Sequence, residues 1–570
     1  MNQAAGAKQI VLCFDGTGYE FRGDDTDSNV LKIYRMLDRN DKNHLHYYQP
    51  GIGMNTGFIF RPHEVKTNAN PMTRWYTKAK DAAFGSTFEE HVMGGYRYLM
   101  RSYTPGDSIY FIGFSRGAYV ARLLAEMLDH IGLLEAGNEG KTRFLWSVFS
   151  KWAQCNYSRE TSQEEKDDVF QYMKALRETF CRPVTQIDFL GLFDTVNSVP
   201  HFEMNRNRFL YPYSTKTTAK TIRHAVSIDE HRAKFRQDLL ANSNPISARA
   251  ARSRLHSRQA RHLRSASRQD SLFDQVSATQ DPRPTLKVPS QQSLFLQNRF
   301  YRPALRSHRQ STNEQETSWP ELMLEASSCG EYRDKSQSIE EVWFPGCHAD
   351  IGGGLRYSKK EDWALSHVPL VWMVTEAQRA GLHFDAEKLK QFWCLDESID
   401  GNAQQFSRNR AVHEGKNQNK ENSGKTDERS DFEYALWKAS THGEIHDFLQ
   451  YHHGAKWPVI LSWKMIEYLP LRRMLLQKDQ SWRVIRWPLP LGERRDIPED
   501  ATIHVSALRR LKVNSNYRPK NLIRGGREGK RKEKGSALGH EIEEWEVYAH
   551  RGCPVRETYR RGKMKTIFDL

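Results

Sequence analysis

Ser115 stands in "GFSRG" between Gly113 and Gly117, after the apolar run "SIYFI" and before "AYVARLLAEML", whose small and apolar residues suit a helix. A serine at the tip of a strand-to-helix turn needs small residues two positions to either side, because its own backbone is strained and other segments crowd it. Such a nucleophile elbow exposes the hydroxyl at the end of a strand. The chemistry it suits is attack on a carbonyl carbon, with the backbone N–H of Arg116, at the start of the helix, as one donor to the oxyanion.

A serine hydroxyl is a poor nucleophile at neutral pH, so a base must take its proton and a carboxylate must orient that base. "LGLFDTV" puts Asp194 just past a buried apolar run, and "VWFPGCHADIGGG" puts His348 just past another, in a glycine-rich loop. Serine, acid, histidine is the chain order in which elbow serines meet their partners. Asp229, at the end of "RHAVSID", is a rival acid, and His224, His231 and His367 are rival bases. Position at a strand end favours His348 among the chain's 22 histidines. "CFDGTG" adds a loop after a first strand: Gly16 or Thr17 would give the second oxyanion N–H, with Asp15 fixing the loop or pairing with Arg116. The stretch also resembles the DxDGT start of haloacid-dehalogenase phosphatases, but Cys13 occupies the nucleophile's position. Cys347, beside His348, reads as a core filler.

These residues must be carried by alternating strands and helices. "QIVLCF" (9–14), "HLHYYQPGIG" (44–53), "SIYFIGF", "IDFLGLFDTV" (187–196), "TIRHAVSID" (221–229) and "IEEVWF" (339–344) read as strands. Helical patterns lie at 28–37, with Ser28 or Asn29 as N-cap, at 88–103, after Ser115, and at 362–382. Strands buried on both faces and separated by helices predict a mostly parallel sheet, helices on both faces, with right-handed crossovers. "WKMIEYLPLRRMLL" (463–476) reads as core packing, with a lid or cap as the alternative.

Two polar stretches interrupt this order and read as disordered insertions: an Arg/Ser-rich one at about 240–318 and another at about 401–430. The expected organisation is a domain over 8–385, a C-terminal helical or irregular extension over 386–508 and a basic tail over 509–570.

The formal charge of +15 sits in two places: residues 249–268 carry +7 and residues 509–534 carry +9, leaving the rest near −1. Charge confined to low-complexity segments argues against a folded nucleic-acid groove and leaves a peripheral contact with anionic membrane open. Seven scattered cysteines, with no CxxC pair, exclude a zinc or disulfide framework and suit a reducing compartment. No apolar run reaches the ~20 residues of a membrane span, and the start has no signal-peptide pattern, so a soluble, intracellular, cytoplasmic protein is expected.

Seven blocks, in order "VLCFDGTGYE", "SNVLKIYRML", "YYQPGIG", "GFSRGAYVAR", "GLFDTVNSV", "RHAVSIDEHR" and "WFPGCHADIGGG", resemble the domain of uncharacterised α/β hydrolases that also forms the catalytic part of type VI secretion phospholipase effectors. The resemblance covers about 8–240 and 319–385, with weaker echoes in "WKMIEYLPL" and "IHVSALRRL". It implies an α/β-hydrolase fold and a triad of Ser115, Asp194 and His348, and it demotes Asp229. Cys347 and the 240–318 insertion depart from the family pattern. The insertions and long tail resemble eukaryotic versions, fungal ones among them, so toxin-like delivery is not implied.

The resulting expectation is a serine hydrolase of carboxylic esters, without metal or organic cofactor, acting on a lipid or small ester; the lipid preference is implied by the resemblance. The competing expectation is an idle hydrolase fold whose basic segments engage RNA, anionic membrane or a protein.

Overall fold

The apolar runs assemble into one nine-stranded sheet. A computed structural model describes residues 7–17, 21–51, 86–157, 161–196, 217–240, 337–355, 363–395, 430–451, 457–471, 473–477, 482–524 and 545–562. All of these fall in one unit, Met1–Asn244 with Arg333–Leu570, and the second unit, Pro245–Tyr332, contains none of them. All but the first residue of the expected insertion at about 240–318 and all but the last residue of the one at about 401–430 therefore lie outside the described residues.

The strands are β1 (Gln9–Phe14), β2 (His44–Gln49), β3 (Ser108–Phe114), β4 (Phe189–Phe193), β5 (Thr221–Ser227) and β6 (Ser338–Phe344). The hairpin β7 (Arg473–Leu476) and β8 (Trp482–Ile485) stands apart, and β9 (Thr502–His504), β10 (Trp545–Ala549) and β11 (Thr558–Arg561) return to the main sheet. Its order is β10-β11-β9-β6-β5-β4-β3-β1-β2. Neighbours from β2 across to β9 run parallel, while β11 pairs antiparallel with both β9 and β10. The tail expected over 509–570 thus supplies two strands. Its basic composition hid them: β10 is the edge strand, where polar residues can alternate with the few that pack, and β11, between β10 and β9, is four residues long with only Thr558 buried.

Side-chain alternation divides the core. Ile10, Leu12, Phe14 and Phe111 face the helices α2 (Ser86–Ser102), α3 (Arg116–Ile131), α4 (Thr142–Tyr157) and α5 (Gln163–Phe180). Val11, Cys13, Ile112 and Phe344 face α1 (Asn29–Met36), α7 (His367–Arg379) and α8 (Asp431–His442) on the other side, with a five-residue helix, α6 (His348–Gly352), between. Helices on both faces of a largely parallel sheet make this an α/β fold. Strand order reverses between β1 and β3, so the loops after these two strands diverge and leave a crevice at the carboxyl end of the sheet.

Ser28, rather than Asn29, caps α1: its Oγ accepts the Leu31 N–H at 3.1 Å and donates to Asp15 Oδ2 at 2.5 Å. The 463–476 segment reaches the core less than expected: of its described apolar side chains only Leu476 is buried. It spans the end of helix α9 (Trp457–Ile466) and β7, and of α9 only Ile460 is buried.

Candidate active site

Ser115 lies between β3 and α3 with φ 58° and ψ −123°, a conformation that L residues hold only when their surroundings impose it. Its N–H donates to Phe193 O at 2.9 Å, and its carbonyl accepts Tyr119 N–H at 3.3 Å. The flanking glycines are steric necessities. A Cβ on Gly117 would stand 2.3 Å from Phe14 O, and one on Gly113 would stand 2.5 Å from Ala118 Cα.

Asp194 follows β4 directly, also at positive φ (40°), and its N–H donates to Ala225 O at 2.8 Å. His348 opens α6, after Cys347 at the N-cap. The Ser115 hydroxyl donates to His348 Nε2 at 2.8 Å, and His348 Nδ1–H donates to Asp194 Oδ2 at 2.5 Å. All three side chains are buried. The imidazole lies between two rings, Phe114 with its centroid at 4.8 Å and Phe235 at 4.7 Å, so it has little room to swing away.

Two further ion pairs surround this relay. Arg495 sends Nη1 to Asp194 Oδ1 at 2.5 Å and Nη2 to Oδ2 at 2.8 Å, and it also donates to the carbonyls of Ser227 and Phe235. Burial alone would raise the Asp194 carboxyl, but Arg495 and His348 hold it well below the usual carboxylate range. Glu230 behaves alike: burial opposes its charge, and the Arg232 guanidinium, paired with it at 2.8 and 3.0 Å, carries it well below. Glu230 Oε2 accepts the His348 N–H at 3.1 Å. Burial lowers the His348 imidazole, an effect that Asp194 only partly offsets. The His348 imidazole is therefore neutral at neutral pH, with its Nδ1–H facing Asp194.

The rivals are occupied elsewhere. Asp229 accepts Gly346 N–H at 2.8 Å and Tyr517 OH at 2.9 Å, which anchors the loop leading into His348. His224 Nε2 accepts Thr195 N–H at 3.1 Å, and its Nδ1 faces Glu341 at 2.9 Å. His231 bonds Asp447 at 2.7 Å, and His367 is half-buried, its imidazole pushed down to about 4 by desolvation. Cys347 is buried too, which drives its thiol far from the reactive thiolate.

The β1 loop differs in detail from expectation. Asp15 does not pair with Arg116: its carboxylate accepts Gly16 N–H at 2.6 Å, Ser28 Oγ–H at 2.5 Å and Tyr48 OH at 2.7 Å. These neutral donors lie within reach of the strand end, and burial raises the Asp15 carboxyl. With the Gly16 N–H engaged, Thr17 and Arg116 remain of the three expected oxyanion donors. The Thr17 Oγ1 is buried with no hydrogen-bond partner, and the Arg116 N–H, in the first turn of α3, has no intrahelical acceptor.

Arg495, Glu230, Arg232 and Phe235 were not found by sequence reasoning. Glu230 and Arg232 sat inside the block "RHAVSIDEHR", so a signal existed. Arg495 is 301 residues from Asp194 in "GERRDIPED", and nothing local marks it. Among the described residues no cluster of three or more His, Cys, Asp or Glu could hold a metal ion. No helix of the described residues is long and apolar enough to cross a membrane.

Comparison with known proteins gives one family and few relatives. The model of the family described as T6SS, phospholipase effector Tle1-like, catalytic domain matches residues 8–376. Uncharacterized protein YEL023C of Saccharomyces cerevisiae is 27% identical over 582 residues, covering 91% of this chain and 81% of its own. Among solved structures, an uncharacterized protein from Pseudomonas aeruginosa aligns at 16% identity and TM-score 0.28, over 76% of this chain and 53% of its own. The Tle1 effector, solved bound to the VgrG spike of the type 6 secretion system, aligns at 13% identity and TM-score 0.26, over 75% of this chain and 83% of its own. Scores this low say nothing about the fold, which stands on the sheet described above.

Proposed function

This chain belongs to the Tle1-like phospholipase effector catalytic domain family, and from that premise we propose that it hydrolyses carboxylic esters of lipids through Ser115, His348 and Asp194. The observation that carries the reading is the unbroken relay from Ser115 Oγ to His348 Nε2 (2.8 Å) and from His348 Nδ1 to Asp194 Oδ2 (2.5 Å), on an elbow whose backbone conformation turns the hydroxyl toward His348.

His348 takes the Ser115 proton as Oγ bonds the ester carbonyl carbon, and the carbonyl electrons move onto oxygen. Backbone N–H groups of Arg116 and the Thr17 loop receive that oxyanion. The imidazolium then gives its proton to the departing alcohol, and water repeats the sequence on the acyl-enzyme. At rest the carboxylates of Asp194 and Glu230 balance the guanidiniums of Arg232 and Arg495. Attack creates one imidazolium and one oxyanion together, so the buried net charge stays near zero, which limits the electrostatic cost in a low-dielectric site. This chemistry requires neither metal nor organic cofactor.

The test is hydrolysis of nitrophenyl esters of rising chain length and of a fluorogenic phospholipid by the full chain and by Ser115→Ala. A loss of about a thousandfold or more is expected in the variant. Equal rates in the two proteins would remove Ser115 from the chemistry.

A further inference from the structure

Helix α9 has apolar residues on both faces. Its inner side is firmly seated. Ile460 is fully buried, and the Trp463 ring meets Phe235 at 5.4 Å. Just past the helix, Glu467 accepts Ala233 N–H at 2.7 Å and Gly492 N–H at 3.1 Å. The outer side, where a helix of a water-facing surface carries charge, presents Trp457, Leu461, Met465 and Tyr468 at spacings of four, four and three. Beside it comes the turn with Trp487 and Leu491, tied to the helix end by the Leu491 N–H bond to Glu467 O at 3.3 Å. These six side chains are between 47% and 68% exposed. Half of the large apolar side chains exposed among the described residues lie between 451 and 491, so this is a patch and not scatter.

Two more observations identify what covers it. Among the described residues of 457–491 the charged side chains that reach the surface are all basic, Lys464, Arg483 and Arg486, because Glu467 faces inward and Arg473 is buried against Glu493. The patch also adjoins the site: Trp463 touches Phe235, and Phe235 lies against His348. Exposed tryptophan, tyrosine and aliphatic side chains with basic neighbours match the boundary between acyl chains and anionic headgroups. We infer that α9 and the 487–491 turn form the surface by which this protein docks on a bilayer carrying anionic lipids, placing Ser115 and His348 against the membrane. The purpose of the docking rests on the esterase reading; the docking itself does not.

The test is flotation of the full chain with phosphatidylcholine vesicles, with and without phosphatidylserine, comparing the unsubstituted protein, Ser115→Ala and the double variant Leu461→Asp, Met465→Asp. Both substituted side chains point outward, and hydrolysis of a short soluble ester at the unsubstituted rate reports that the double variant has folded. Unsubstituted protein and Ser115→Ala should float with phosphatidylserine vesicles, and the double variant should lose about tenfold or more of that partitioning. Flotation of the double variant equal to that of the unsubstituted chain would overturn the proposal and assign binding to another segment. A dimer that the double variant converts to monomer, with flotation unchanged, would overturn it in favour of a second copy. If Ser115→Ala floats and still hydrolyses the ester, the esterase reading fails while the docking surface stands.

Discussion

Removing the positive charge behind Asp194 tests the electrostatics of the site. In Arg495→Met the two bonds to Asp194 vanish, leaving its carboxylate with the Ser227 N–H at 3.0 Å and the His348 Nδ1–H at 2.5 Å. At an effective dielectric near 20, unit charges about 4 Å apart interact by about 4 kcal/mol. The His348 ring, one hydrogen bond beyond the carboxylate, feels roughly half of that, about 2 kcal/mol, or between one and two pH units. Loss of the guanidinium raises the proton affinity of the His348 and Asp194 pair, whichever member holds the proton. The acid limb of kcat/KM, which in the unsubstituted protein should lie below the ordinary histidine value of about 6.5, must therefore move upward by about one unit or more. Thermal unfolding should register a loss of about 3–5 kcal/mol, the cost of stranding a buried charge. Arg495→Lys keeps the charge but not the fork, so its acid limb should stay in place even where its rate falls. An acid limb that does not move in Arg495→Met, in protein shown to be folded, would refute the claim that Arg495 tunes the base.

The elbow and the buried carboxylates offer two simpler checks. Gly117→Ala sets a methyl 2.3 Å from Phe14 O, backbone that cannot yield, so melting temperature should fall by several degrees or more and ester hydrolysis should disappear with it. Asp194 and Glu230 are both depressed when folded, so their stabilisation is complete above their unfolded values of about 3.9 and 4.3 and is lost as pH falls from there through the lower folded values. Chemical denaturation followed from pH 7 to pH 3 should show a flat region and then a steep decline below about pH 4; stability that keeps falling evenly across the whole range would contradict this assignment.

The boundaries of β1, β3 and α1 fall within a residue or so of their sequence patterns, because strands buried on both faces must be continuously apolar and Ser28 is a strong cap. β10 escaped notice because an edge strand needs little hydrophobicity, and β11 because it is four residues long with only Thr558 buried. The reading of 463–476 as core went wrong for the opposite reason: composition reports how apolar a helix is, not whether the chain has anything to lay over it.

What the sequence determined by itself was local. The glycine spacing around Ser115, the apolar run before it and the strand-end positions of Asp194 and His348 are properties of short segments, governed by sterics and periodicity. What the tertiary structure decided was everything that depends on two distant segments meeting. It put His348, and not His224 or His231, within hydrogen-bonding distance of Ser115, engaged the Gly16 N–H with Asp15, and brought Arg495 onto Asp194. A buried carboxylate needs a counter-charge within a few ångströms, but that need sets no sequence separation, so only the folded chain could name the partner.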